Sequence, residues 1–108
     1  MSGHREAKLT EILQHMAADF MVRHATNQSL ITVTRTIVST DQKNATIYLS
    51  VIPATEEQKA LAFAKRERSE FRDYVKAKSA LQYIPTIDFQ LDLGEKNRQR
   101  IDDLTRGN

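Results

Sequence analysis

The chain is predicted to be a single α+β domain in the order helix, strand, strand, helix, helix, strand, with helices covering one face of a three-stranded sheet. Three observations predict it. A seven-residue apolar stripe near the N-terminus has helical spacing, two β-rich stretches flank a polar turn, and a helix stops at a proline before a strand of strict alternation. At 108 residues the chain has the usual size of one domain, and it can remove roughly 65% of its unfolded surface from water without staples. The domain is expected over residues 1–94 and a short tail over 95–108.

Leu9, Ile12, Leu13, Met16, Ala17, Phe20 and Met21 recur at three- and four-residue steps, which places them on one side of a helix. The polar segment Thr26-Asn27-Gln28-Ser29 should carry the chain off that helix. Ile31 to Ser39 is dense in β-branched residues and reads as a strand, but Val38 has the opposite parity to Ile31 and Val33, so a bulge is expected near Arg35. Thr40-Asp41-Gln42-Lys43-Asn44 supplies turn chemistry. Ala45, Ile47, Leu49 and Val51 then alternate with polar residues, completing a hairpin.

Pro53 should end the second strand, and Thr55 with Gln58 has the spacing of a capping box opening the next helix. Along that helix Leu61 and Ala64 ask for an apolar residue near position 68, where Arg stands, and Phe71, Tyr74, Val75 and Leu81 start a new stripe. A kink or break near Ser69 is expected, with Ser69 as the cap of a second segment; one uninterrupted helix is the alternative. Pro85 stops the helical region, and Ile87, Phe89 and Leu91 then share one strand face while Asp88, Gln90 and Asp92 share the other. In the tail only Ile101 and Leu104 are apolar anchors, which fits a short, frayed helix or irregular chain. The third strand, reached through a long helical crossover, is expected to lie beside the first.

Composition narrows the function. With no Cys, the chain can build neither a disulfide framework nor a thiolate metal site, and it suits a reducing, cytoplasmic setting. No apolar run approaches a membrane span, and no secretory signal is seen. His4, His15 and His24 lack metal-closing spacing, and there is no glycine-rich phosphate loop, so no catalytic residue, metal or cofactor is expected. Net charge is only +2, yet residues 59–78 hold seven basic side chains against three acidic ones. Such a cluster can serve as a solvated, ion-paired helix face or as a polyanion-binding surface.

The element order is that of KH type II domains, although their Gly-x-x-Gly loop is absent, since the only glycines are Gly3, Gly94 and Gly107. Val38-Ser39-Thr40-Asp41 with Ala45-Thr46-Ile47-Tyr48-Leu49, the run Leu81 to Asp92 with its Pro-x-aliphatic-x-Phe-x-x-Asp spacing, and Arg100-Ile101-Asp102-Asp103-Leu104 together resemble the bacterial ribosome-binding factor A family. The family has a KH-like fold with a kinked helix in place of the glycine loop. Where it usually has Ala-x-Gly at the kink this chain has Glu67-Arg68-Ser69, and Gln82 stands where the family usually has a basic residue.

The resemblance implies a non-catalytic factor that binds the small ribosomal subunit through its ribosomal RNA during late maturation. Neither a small-molecule substrate nor a membrane is implied, and the isolated protein is expected to be a monomer. Lys65, Arg66, Arg68, Ser69, Arg72 and Lys76, at the helix junction, are the expected RNA contacts, with Arg5, Lys8 and His4 as a possible basic flank. Tyr48 and Tyr83 could stack on bases or simply pack at the core edge, and Asp88, Gln90 and Asp92 read as a solvated strand face. The alternative function is a protein–protein adaptor on the same scaffold.

Overall fold

The computed structural model describes residues 2–24 and 29–93, with residues 2–6 and 24 described by backbone alone. Seven elements follow in order: α1 (Ser2–His24), β1 (Leu30–Val38), β2 (Asn44–Ile52), a 3₁₀ turn (Ala54–Glu56), α2 (Glu57–Arg66), α3 (Arg68–Lys78) and β3 (Thr86–Leu91). This is the expected KH type II-like sequence of elements. The expected tail and the Arg100–Leu104 match fall outside the described residues, as do Thr26, Asn27 and Gln28.

The apolar stripe of α1 is its buried side. Leu9, Leu13, Ala17, Phe20 and Met21 are buried, and Met16 packs against them. They meet Ala45, Ile47 and Leu49 of β2, Ala64 of α2, Phe71 and Val75 of α3, and Ile87 and Phe89 of β3 in one core. All three helices therefore lie on a single face of the sheet. Phe20, Phe71 and Phe89 form an edge-on series, with ring centroids 5.4 Å apart for the first pair and 5.7 Å for the second. Edge-on contacts set a positive ring rim against a negative ring face and fix relative orientation as well as burying area.

β1 and β2 form the expected antiparallel hairpin, and the register slips between Val33 and Arg35. The extra residue, Thr34, is the predicted bulge. It allows Ile31 and Val33 before it and Val38 after it to reach the core despite their opposite parity. The turn is held by Asp41, whose Oδ1 accepts from the Ser39 hydroxyl at 2.6 Å and from the Lys43 amide at 3.0 Å. Gln42, at φ 61°, is the residue in the left-handed region.

One expectation is overturned. The strand order is β1-β2-β3, so β3 lies beside β2, parallel to it, and not beside β1. The cause lies in β2, whose Ala45, Ile47, Leu49 and Val51 are all buried. A strand this apolar is best placed in the centre, with both its backbone edges paired, whereas the bulged and more exposed β1 is suited to the rim.

Two local readings also change. Pro53 ends β2 as expected, through a cis Ile52–Pro53 bond, but the Thr55–Gln58 capping box does not form. A 3₁₀ turn occupies residues 54–56, and no side chain caps α2. Thr55 sits inside that turn, where its backbone is already committed to helical geometry and its hydroxyl is not placed to receive the amides beyond. The helix break is real but falls at Glu67, so Ser69 lies within the first turn of α3 and is not its cap.

Because Phe89 is fully buried between β3 and α3, Phe89→Ala should lower unfolding free energy by about 3–5 kcal/mol. Denaturant titration of the two proteins measures this. A parent-like midpoint would contradict the packing described.

Candidate nucleic-acid interface

The junction between α2 and α3 is a single residue. The Glu67 amide donates to both Phe63 O at 3.1 Å and Ala64 O at 3.2 Å, and the Glu67 carbonyl accepts from the Phe71 amide at 2.8 Å. Hydrogen bonding thus runs into Glu67 from α2 and out of it into α3, while its φ of −90° and ψ of 10° kink the axis. Buried Ala60, Ala64, Phe71 and Val75 remain in helical phase across the kink. At about 100° per residue, Glu67 is the position a straight helix would carry over the core. A carboxylate there would lose its water without a partner, and kinking at that residue leaves it half-buried instead.

The junction sorts the basic residues. Lys65, Arg68, Arg72 and Lys76 follow one another at steps of three, four and four, and so occupy one flank of the kinked pair, beside its buried side. Ser69, four positions after Lys65 and three before Arg72, is exposed on the same flank, whereas Arg66, two positions beyond buried Ala64, stands on the crest facing away from the core. Of the six predicted contacts, five therefore share a flank and Arg66 does not.

That flank runs along β3, a rim strand of the sheet. Arg72 Nη2 donates to Ile84 O at 3.4 Å, just before β3 begins. Lys65 Nζ lies 3.0 Å from Asp88 Oδ1, and Arg68 Nη1 lies 3.6 Å from the same oxygen. Arg68 also donates its Nε–H to Lys65 O at 3.1 Å, which satisfies a carbonyl at the end of α2. Asp88 has the opposite parity to core-facing Ile87 and Phe89, so the two cations reach round the sheet edge to meet it. Gln90 Nε2 donates to its other oxygen, Oδ2, at 2.8 Å. The side chains of Lys65, Arg68 and Asp88 are 38%, 50% and 37% exposed, so solvent reaches all three. Asp88 thus stays on the solvated strand face and is in addition an ion-pair partner there.

Partial burial raises the cost of the Asp88 charge, but hydrogen bonds from Gln90 and Lys65 and the Lys65 charge outweigh it, and the carboxyl is held below its ordinary range. Arg66 and Lys76 are exposed and make no ion pair among the described residues.

Of the N-terminal flank, the side chain of Lys8 alone is described. Lys8 lines a mainly apolar groove of about 550 Å³ with Leu9, Ile12, Gln42, Leu81 and Tyr83, beyond the C-terminal end of α3. The side chains of His4 and Arg5 lie outside the described residues. Tyr83 is exposed at that groove, whereas Tyr48 lies on the open sheet face under the Arg35 guanidinium, 4.2 Å from its ring centroid.

Sequence reasoning missed the polar group around Arg35. Arg35 Nε is 3.6 Å from Asp92 Oδ2, and the bulged Thr34 donates to the same oxygen at 2.5 Å. The signal was the bulge itself, which turns Arg35 onto the open face directly opposite Tyr48 in the ladder. Among the described residues no group of acidic, His or Cys side chains could hold a metal ion, and no helix is long and apolar enough to cross a membrane.

Comparison with known proteins adds to this geometry. The family model described as Ribosome-binding factor A matches residues 5–105. Ribosome-binding factor A of Corynebacterium diphtheriae is 31% identical over 107 residues, covering 93% of this chain and 73% of the relative. That of Thermobifida fusca is 29% identical over 103 residues, covering 93% and 68%. The crystal structure of ribosome-binding factor A from Thermus thermophilus superposes with a TM-score of 0.70 at 20% identity, covering 80% of this chain and 94% of that one. Coordinates for the Thermus thermophilus factor fitted into a cryo-EM map of a 30S complex give a TM-score of 0.65 at 21% identity, covering 82% and 91%. At these identities the two structures bear on the fold alone.

The electrostatics predict an acid response. The fold favours ionised Asp88, whose folded value lies below the ordinary 3.8. Its contribution is complete above that ordinary value and is lost as pH falls through the folded one. Asp19, through the Tyr74 hydroxyl, and Asp41, through Ser39, are shifted in the same direction. The thermal midpoint should drop between about pH 5 and about pH 2, and Asp88→Asn should lose less over that range than the parent. Parallel pH curves for the two proteins would contradict the Asp88 pairing.

Proposed function

This chain belongs to the ribosome-binding factor A family, and on that premise we propose that it is a non-catalytic assembly factor that binds small-subunit ribosomal RNA during late subunit maturation. The observation that carries the proposal is the flank of Lys65, Arg68, Arg72 and Lys76 beside β3. Successive cations on such a flank lie about one helical turn apart, close to the spacing of phosphates along a nucleotide chain, so they can follow a sugar–phosphate backbone. Arg forks grip phosphate oxygens through paired N–H donors, and Lys supplies a mobile point charge. Ser69 would offer its hydroxyl within this surface, and the crest residue Arg66 would meet RNA only at its outer margin.

Contacts of this kind fix where RNA lies without reading its bases, so the preference for the small subunit would come from the shape of the folded RNA. The fitted 30S complex of the Thermus relative supports this reading by analogy. The proposal places the protein in the cytoplasm, acting as a monomer without cofactor, membrane or small-molecule substrate.

The adaptor reading draws on a different surface. Leu30 and Ile52 are cross-strand partners and are both exposed, at 62% and 57%. An apolar pair on an open sheet face is suited to another protein.

The experiment is co-sedimentation with small subunits at two salt concentrations. Arg72→Glu with Lys76→Glu alters exposed residues, so folding should be retained. Binding should weaken at least about tenfold, because two phosphate-facing cations become repelling carboxylates. Parent binding should fall steeply as salt rises. A salt-independent complex that the double variant leaves intact would favour the adaptor.

A further inference from the structure

The basic flank carries its own anion. Among the described residues, Asp88 is the carboxylate that reaches the Lys65–Arg68 end of it, with one oxygen 3.0 Å from Lys65 Nζ and 3.6 Å from Arg68 Nη1. Its position is firmly set: its neighbours Ile87 and Phe89 are buried on either side, and Gln90 holds the second oxygen at 2.8 Å. The two cations are the movable partners, since both sit on long side chains and are substantially exposed. A phosphodiester offers the same unit negative charge and the same paired oxygen acceptors as a carboxylate.

Resting on the RNA-binding reading above, we propose that Asp88 is a built-in competitor for RNA phosphate: it occupies Lys65 and Arg68 in the free protein, and bound RNA must take them over. The exchange replaces one anion partner by another, so an RNA touching only this end of the flank gains little. A folded RNA that also presents phosphates to Arg72 and Lys76 gains cations that no carboxylate holds among the described residues, and draws Lys65 and Arg68 across with them. Asp88 thereby sets a threshold that suppresses unstructured RNA more than the intended subunit. It acts as a specificity-determining residue, one that contributes repulsion against the wrong partner.

The test compares the parent, Asp88→Asn, and Asp88→Asn carrying Lys65→Ala and Arg68→Ala, on polyuridylate and on small subunits across a salt series. Asp88→Asn should raise polyuridylate affinity about two- to fivefold, the range expected on removing one solvent-exposed opposing charge, with a smaller gain on small subunits. Its salt dependence should steepen, because two more cations become available to phosphate. The added alanines should abolish both changes. Asp88→Thr, which keeps a good strand former at the position, should behave like Asp88→Asn and serves if the latter is poorly folded.

Unchanged or weaker polyuridylate binding by a folded Asp88 variant would overturn the inference and make the carboxylate a positioning group for the two cations. Equal gains on both RNAs would overturn its role in specificity. The Arg72→Glu, Lys76→Glu protein separates the competition from the RNA-binding reading beneath it: if it binds RNA like the parent, the flank is not the site and the underlying reading fails. If it binds weakly while Asp88→Asn shows no gain, only the competition fails.

Discussion

The edge-on packing of Phe20, Phe71 and Phe89 is the contact on which the remaining architecture depends. It joins the N-terminal helix, the helix after the kink and the rim strand at one buried point, and these three come from opposite ends of the chain. Ring-on-rim geometry restrains rotation as well as separation. With Phe71 held, α3 cannot roll, and the direction in which Arg68, Arg72 and Lys76 project is decided. With Phe89 held, β3 is locked in phase, which puts Asp88 at the sheet edge facing those cations. The core and the basic surface are thus two sides of one alternation: Phe71 and Phe89 each have a charged neighbour placed by their anchoring.

The surface is charged but far from uniformly so. Lys65 and Arg68 share the single carboxylate of Asp88 at one end, and Arg72 is tied to the backbone ahead of β3. Arg66 faces away on the helix crest. A count of basic residues between positions 59 and 78 overstates the field available to a polyanion along any single direction. What the kinked helices provide is a graded row, contested at the Lys65 end and open at the Lys76 end.

Much of the fold could be read from periodicity. The stripe of α1, the hairpin, the bulge near Arg35, the interruption of the second helical region and the alternation after Pro85 are local patterns, and local patterns survive in sequence. The misreadings were of another kind. Whether β3 pairs with β1 or β2 depends on which strand most needs two partners, a comparison across the whole sheet. The position of the break depends on where a straight helix would press Glu67 into the core, which requires the helix's roll. The flank of four cations was visible as a cluster, but its division into flank and crest, and the capture of two members by Asp88, arise from side chains distant in sequence meeting round a strand edge. No spacing rule within the chain encodes that encounter.

The bulge in β1 has a consequence for how this protein can change over generations. Most hairpins accept gain or loss of a residue near their ends, where solvent absorbs the difference. At Thr34 the extra residue reconciles two half-strands written in opposite phase, with Ile31 and Val33 on one side and Thr36 and Val38 on the other. Excision of that single codon would set Val33 directly before Arg35, and the two halves would run on as one regular alternation, with Ile31, Val33, Thr36 and Val38 still inward and their partners in β2 unchanged. The ladder therefore tolerates a shorter chain at this mid-strand point, and what such a loss would remove is the local bend and the hydroxyl that reaches Asp92.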